Sequence, residues 1–270
     1  MNDMNYEDLL LKKEGSVATI TLNVPEKRNA LTAKMRMNLP LAIGEIAKDN
    51  DVRAVIVTGA GRGFCSGADV TEMNARELPG EPIEVSRYTR VQGAGWPVEK
   101  PGFPDLNKPV IAAINGDCVG GGLSLAMSCD IRIASETARF GVAQVARGLV
   151  PDFSMTYFLP MIIGIARALE LMFTAELISA AEAERLGIVS RVVPPDELMK
   201  VARELTDKIA KQPPLSVELA KKIVLRGIFD DLTRQLDLEA WGNSICLASE
   251  DHREAVRAFL EKRPAQFKGR

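Results

Sequence analysis

Residues 108–135 read KPVIAAINGDCVGGGLSLAMSCDIRIAS, and this stretch decides the fold class. Val110 to Ile114 (VIAAI) reads as a short apolar strand. It runs into a turn where Gly120, Gly121 and Gly122 stand directly before an apolar helical segment, and Ile131 to Ser135 supplies the next strand. Working outward, the same theme recurs. Upstream, Arg53 to Thr58 (RAVIVT) enters GAGRGFCSGADVTEM, where Gly59, Gly61, Gly63 and Gly67 lead to a helix start. Before that, Ser16 to Leu22 (SVATITL) alternates like a half-buried strand, and a helical pattern follows from Thr32 to about Asp49. Downstream, ARFGVAQVARGLVPDFSMTYFLPMIIG continues in the same style. Strand, glycine turn and helix in alternation predict an α/β architecture. From about Ser179 the segments become helical, so the last third reads as a helical extension. Between Asn74 and Lys108 lies a Gly- and Pro-rich loop long enough to expect a functional role.

Composition narrows the function. The 270 residues, 46% hydrophobic and 26% charged, are ordinary for a soluble globular chain of one large domain or one domain with an appendage. Thirty-four basic against 36 acidic residues leave a net charge of −2, too balanced for a protein that works mainly on nucleic acid. The N-terminus carries acids and no apolar signal core, and no stretch reaches the roughly 18 apolar residues of a membrane span. A cytoplasmic protein is expected. Cys65, Cys118, Cys129 and Cys246 form no C-x-x-C pair and read as buried free thiols in a reducing compartment. His252 is the only histidine, so a multi-histidine metal site cannot be built. Its setting, SEDHREAVRAFL, is a polar helix start and predicts a solvated surface side chain.

The sequence VIVTGAGRG invites a nucleotide reading, but the dinucleotide fingerprint needs a third glycine where Phe64 stands, and the chain has no G-K-[ST]. Two strand–glycine–helix turns remain, one presenting amides around Gly67 and Ala68, the other around Gly120 to Gly122. Amides at a helix start lack intrahelical partners and sit at the positive end of the dipole. Either these glycines only allow tight helix–strand packing, or two such donors form an oxyanion hole, which needs neither histidine nor metal.

FCSGADVTEM, the 108–135 segment continued through ETARFG, then GLVPD, and finally SEDHREAVRAFLEKRPAQFKG resemble the enoyl-CoA hydratase/isomerase (crotonase) superfamily over nearly the whole chain. The resemblance implies a spiral of repeated ββα units over residues 1–195 carrying the CoA and oxyanion sites. A helical C-terminal region, 196–270, would serve oligomerisation and CoA contact. It implies an acyl-CoA substrate with no further cofactor, and a homotrimer or dimer of trimers. The oxyanion amides would be those of Ala68 and Gly121. Backbone atoms of Ser66 and Ala68 would hold the adenine. Lys27 and Arg28 would lie near the CoA phosphates or be a solvated charge pair, and Phe259 and Lys262 would reach a neighbouring subunit's CoA.

Family hydratases carry one glutamate two residues after the glycine triplet and another in F-G-x-P-E; the matching positions here are Ser124 and Gln144. Neither can be a carboxylate base. The acid that remains is Asp152 in GLVPD, similar in place to that of some isomerases of the family. It is either an N-cap before FSMTYFL or the catalytic acid, or both. A single carboxylate suffices to move a double bond, so isomerisation is expected. The rivals are hydration, with a water held by Asp152, Ser124 or Gln144; a non-catalytic CoA binder; and hydrolysis with Asp152 as nucleophile. Glu72 is read as a solvated helix position, Glu136 as an exposed turn residue, and Tyr88, Trp96, Phe153 and Tyr157 as pocket candidates or core.

Overall fold

The structure, a computed structural model, describes residues 4–75, 103–212 and 250–263 continuously, with residues 214, 217, 218, 220, 221, 224, 225, 244, 247, 248 and 265 besides. Tyr88, Trp96 and Cys246 lie outside the described residues.

Eleven strands are described, in two sheets. The larger holds β1 (Met4–Tyr6), β2 (Leu9–Glu14), β3 (Val17–Leu22), β4 (Ala54–Gly59), β6 (Val110–Ile114), β8 (Ile131–Ser135) and β11 (Arg191–Val193), in that order. From β3 to β11 its neighbours are parallel, while β1, β2 and β3 form an antiparallel meander. The smaller sheet has the order β10 (Ile178–Ser179), β9 (Arg139–Gly141), β7 (Asp117–Val119), β5 (Gly63–Cys65). The two are wound together. Each turn of the chain gives its first strand to the large sheet and its second to the small one, then a helix. β4, β5 and α2 (Val70–Ala75) make one turn; β6, β7 and α3 (Gly121–Met127) make the next. This is the expected spiral of ββα units, and each strand-to-helix turn of the small sheet lands beside the one before it.

The unbroken apolar run of β6 is buried at all five positions, which is why it shows no alternation. On one face of the large sheet, α1 (Ala33–Lys48) buries Met35, Leu39, Ala42, Ile43 and Ile46. Thr32 caps its start by accepting from the Met35 N–H. At its end the buried Lys108 ammonium donates to the carbonyls of Ile46 (2.6 Å) and Asp49 (2.5 Å), groups that a helix terminus leaves unpaired. The other face is closed by α7 (Leu198–Ala210), where Leu198 and Ala202 pack on Val17, Ile56, Ile111, Ala113 and Ile133; α8 is Glu250–Leu260. Between lie α4 (Met155–Ile163), α5 (Ile165–Thr174) and α6 (Ala180–Leu186). No described helix is long and apolar enough to cross a membrane.

Two readings are corrected here. His252 is buried at 3% exposure, not solvated, and its Nδ1 donates to the Arg147 carbonyl at 2.7 Å. Its place on the inward face of α8 is visible in the spacing with Ala255 and Val256, both buried, although so small a pair gives a weak apolar signal. Glu72 does not lie on a free helix face: its carboxylate accepts from the Ala33 N–H at 3.0 and 3.1 Å and pairs with Arg36 at 3.5 Å, tying α2 to the start of α1. Glu136 is exposed in its turn, as read. Cys65, Cys118 and Cys129 are buried and free, and burial pushes the Cys65 thiol up to about 12.

Candidate active site

The two glycine turns meet. Gly67, at the end of β5, has φ 93°, and Gly120, between β7 and α3, has φ 55°, a region glycine enters without strain. A β-carbon on Gly67 would lie 2.9 Å from the Val119 carbonyl oxygen and 3.3 Å from the Gly121 nitrogen, so only glycine lets the turns approach this closely.

Each turn also aims one amide. The Leu31 N–H donates to the Gly67 carbonyl at 2.7 Å. In a trans peptide the N–H points opposite to the C=O, so this bond turns the Ala68 N–H away from Leu31. The Gly120 carbonyl accepts from the Ser124 N–H at 3.1 Å, directing it into α3 and the Gly121 N–H outward from the helix start. Among the described residues neither amide donates to any group. Leu31 and Phe153 flank the place: the position of a Gly121 β-carbon is 3.0 Å from Leu31 Cδ1 and 3.8 Å from Phe153 Cδ2. Phe153 is thus beside the turns, whereas Tyr157 is half-buried with its ring edge-on to Phe158 at 5.5 Å.

Asp152 faces the same place through its neighbours. Gln144, 7% exposed, donates from Nε2 to Asp152 Oδ1 at 3.2 Å, and Ser124 donates from Oγ to the Asp152 carbonyl at 3.0 Å. The N-cap alternative is corrected: the cap of α4 is Ser154, without a side-chain cap bond, and the Asp152 carboxylate is turned to Gln144 instead. Asp152 keeps partial solvent contact. Burial nonetheless raises its carboxyl from 3.8 to about 6, against the Gln144 hydrogen bond and the Arg36 charge, which favour the anion. A carboxyl so tuned is poised to take and return protons near neutral pH.

Ser66, Lys27 and Arg28 form one rim next to Ala68: Ser66 Oγ donates to the Lys27 carbonyl at 3.1 Å, and the Ser66 N–H to that of Arg28 at 3.0 Å. Neither basic residue is only solvated. Lys27 pairs with the buried Asp69 at 2.6 Å, and Arg28 with Asp117 at 3.2 Å. Burial alone would raise the Asp69 carboxyl, but bonds from Lys27 and Thr71 hold it below its ordinary value. The Phe259 ring lies under the Arg147 guanidinium, 3.8 Å from the centroid, and Lys262 is exposed just beyond. No described contact joins this end of α8 to Lys27 or Arg28.

Three residues of the site were missed by sequence reading. Asn29, fully buried at φ 55°, accepts from the Val24 N–H and donates to the carbonyls of Ala60 (2.9 Å) and Gly63 (2.7 Å), linking successive turns of the spiral. Asp69 anchors Lys27, and Arg36 is the cation acting on Asp152. Only Asp69 had a local signal, an acid placed just before a helix.

Comparison with known proteins finds relatives along nearly the whole chain. The family model described as "Enoyl-CoA hydratase/isomerase" matches residues 12–270. The short-chain-enoyl-CoA hydratase of Clostridium acetobutylicum is 42% identical over 269 residues, 99% of this chain and 100% of that protein. The 1,2-epoxyphenylacetyl-CoA isomerase of Escherichia coli is 35% identical over 267 residues, 98% of this chain and 99% of that one. The crystal structure of an enoyl-CoA hydratase from Mycobacterium avium subsp. paratuberculosis superposes with a TM-score of 0.83 at 29% identity, covering 98% of this chain and 100% of that one.

Proposed function

The chain belongs to the enoyl-CoA hydratase/isomerase family of acyl-CoA enzymes, and from that premise we propose that it isomerises the double bond of an enoyl-CoA with Asp152 as its acid–base group. The observation that carries this reading is that the carboxyl at the oxyanion turns is Asp152, while Ser124 and Gln144 occupy the two expected glutamate positions.

In a 3-enoyl thioester the Asp152 carboxylate takes a proton from C2. The C2–H electron pair moves toward C1, and the negative charge on the thioester oxygen meets the Ala68 and Gly121 N–H groups. The protonated Asp152 then gives its proton to C4, so the bond between C3 and C4 becomes single and that between C2 and C3 double. Atoms and charge balance with one carboxyl and no cofactor besides the CoA that the substrate carries. Lys27, Arg28 and Ser66 hold the CoA end, with Phe259 and Lys262 contributing from a second subunit.

Hydration is the second reading, favoured by the name of the Clostridium relative. The two separate on one panel of 2-enoyl-, 3-enoyl- and dienoyl-CoA thioesters incubated in deuterium oxide and followed by mass spectrometry. Isomerisation moves the double bond with no gain of water, and deuterium enters carbon because the Asp152 acid proton, in partial contact with solvent, exchanges before it is returned. A product that gains the elements of water instead makes the enzyme a hydratase; binding without change on every thioester makes it a binder.

We also propose the trimer. On α5, Ile165 and Phe173 are each 70% exposed and Leu169 39%, an apolar stripe at helical spacing that continues to Leu177. Phe173→Asp is expected to convert a trimer or larger assembly into monomers by light scattering; a wild-type mass equal to one chain would dismiss the assembly.

A further inference from the structure

Ser124 and Gln144, the residues that stand where glutamates are expected, both turn toward Asp152. Ser124 is fully buried, with Oγ 3.0 Å from the Asp152 carbonyl and 3.3 Å from that of Gly120. A hydroxyl has one proton to donate, and the shorter contact is to Asp152. Gln144 Nε2 donates to Asp152 Oδ1 at 3.2 Å. Its Oε1 is the single buried side-chain polar atom without a partner among the described residues, and lies 3.8 Å from where a Gly120 β-carbon would stand. Directly after Asp152 the chain places two non-glycine residues in the left-handed region, Phe153 at φ 50° and Ser154 at φ 65°. Side chains are held there only when the surroundings fix them.

We propose that Ser124 and Gln144 are positioning residues for Asp152: Ser124 anchors its main chain, and the Gln144 amide holds its carboxyl in both protonation states. The inference rests on Asp152 being the acid–base group. While Asp152 is a carboxylate, Nε2–H donates to it. Once Asp152 has taken a proton it becomes a donor and needs an acceptor, and Oε1 on the same amide is the one left unpartnered. Turning the amide about its last torsion exchanges the two. Glutamate at this position would instead compete for the proton, since two adjacent carboxylates cannot both ionise freely. The described charge facing Asp152 is Arg36 of α1, itself paired with Glu72 of α2; Ser124 of α3 and Gln144 are neutral.

The test is a carbon-13 carboxyl titration by NMR on protein labelled at aspartate, with Asp152→Asn identifying the signal, together with the pH profile of deuterium incorporation. Gln144→Met has similar length and offers neither donor nor acceptor. It is expected to move the Asp152 midpoint to higher pH, carry the acid limb of kcat/KM with it, and lower kcat about 10–100-fold. Ser124→Ala leaves the midpoint in place and lowers kcat with KM little changed. If Gln144→Met does not fold, Gln144→Glu reads the same contact and also moves the midpoint upward. A midpoint equal to wild type in these Gln144 variants overturns the proposal and makes Gln144 a space-filling residue. Asp152→Asn that still exchanges deuterium defeats the reading of Asp152 itself, a different failure.

Discussion

Asp152→Asn abolishes deuterium incorporation into enoyl-CoA, a loss of roughly 10²–10⁴ in kcat for removal of a general acid–base group, and it makes the protein more stable above neutral pH. Both follow from the same burial. The carboxyl is raised from 3.8 to about 6 because the protein around it disfavours the anion, while Gln144 and Arg36 offset only part of that effect. The base is the ionised form, so wild-type activity rises with pH through about 6. Stability runs the other way. A carboxyl with a higher pKa folded than unfolded binds more protons in the folded state, so its contribution is complete below the unfolded value of 3.8 and is lost as pH rises through about 6. The difference amounts to roughly 3 kcal/mol at alkaline pH. Asparagine does not titrate, so urea unfolding of wild type and variant should diverge between pH 4 and pH 8, with the variant gaining. A gap in urea midpoint that does not change with pH would show that Asp152 is not an unwillingly ionised group. The enzyme on this account carries a destabilising charge because proton transfer needs it, a common form of the trade between stability and activity.

What was legible in the sequence was local. β6 and β8 occupy the residues read as strands, Val110 to Ile114 and Ile131 to Ser135, because short apolar runs bounded by Pro, Asn and Asp have few other folds open to them. α1 begins after Thr32 and ends before Asp49 since both ends are capped by nearby groups. The two glycine turns were legible for a related reason: a strand, a glycine and a helix start within a few residues define an outward N–H. The strands of the small sheet were not foreseen; β5, β7 and β9 have three residues each, too few for any alternation, and form because the spiral stacks one turn on the next. Long-range pairings were also hidden. Glu72 reaches Ala33, Lys27 reaches Asp69, and Asp152 is held by Ser124, 28 residues away, so nothing near these residues marked their partners. That Asp152 does not cap α4 was equally hidden, since its carboxylate is drawn to Gln144, which the sequence showed only as a missing glutamate.

Gly67→Ala should cost about 10²–10³ in kcat, the scale for loss of an oxyanion donor, with a much smaller effect on binding of free CoA. A β-carbon there meets the Val119 carbonyl at 2.9 Å and the Gly121 nitrogen at 3.3 Å. These are backbone atoms, which cannot rotate aside as a side chain would. Relief must come from moving the Val119–Gly121 turn, which carries one donor, or the Gly67–Ala68 peptide, which carries the other and is aimed by the 2.7 Å bond from Leu31 to the Gly67 carbonyl. Both routes shift an N–H relative to the thioester oxygen. Backbone strain alone would also destabilise the fold, since Gly67 sits at φ 93°. Gly187→Ala separates the two causes: at φ 84° it is equally strained, it ends α6, and it has no atom within 4 Å of the new carbon. It should lower stability by about 1 kcal/mol and leave kcat unchanged. If Gly67→Ala behaves like Gly187→Ala, unstable but active, the charge that develops in the reaction is not held by the amides of Ala68 and Gly121. If it loses kcat while still folding and binding CoA, the close approach of two glycine turns is the physical basis of catalysis here, and Asp152 only moves the proton that those amides make acidic.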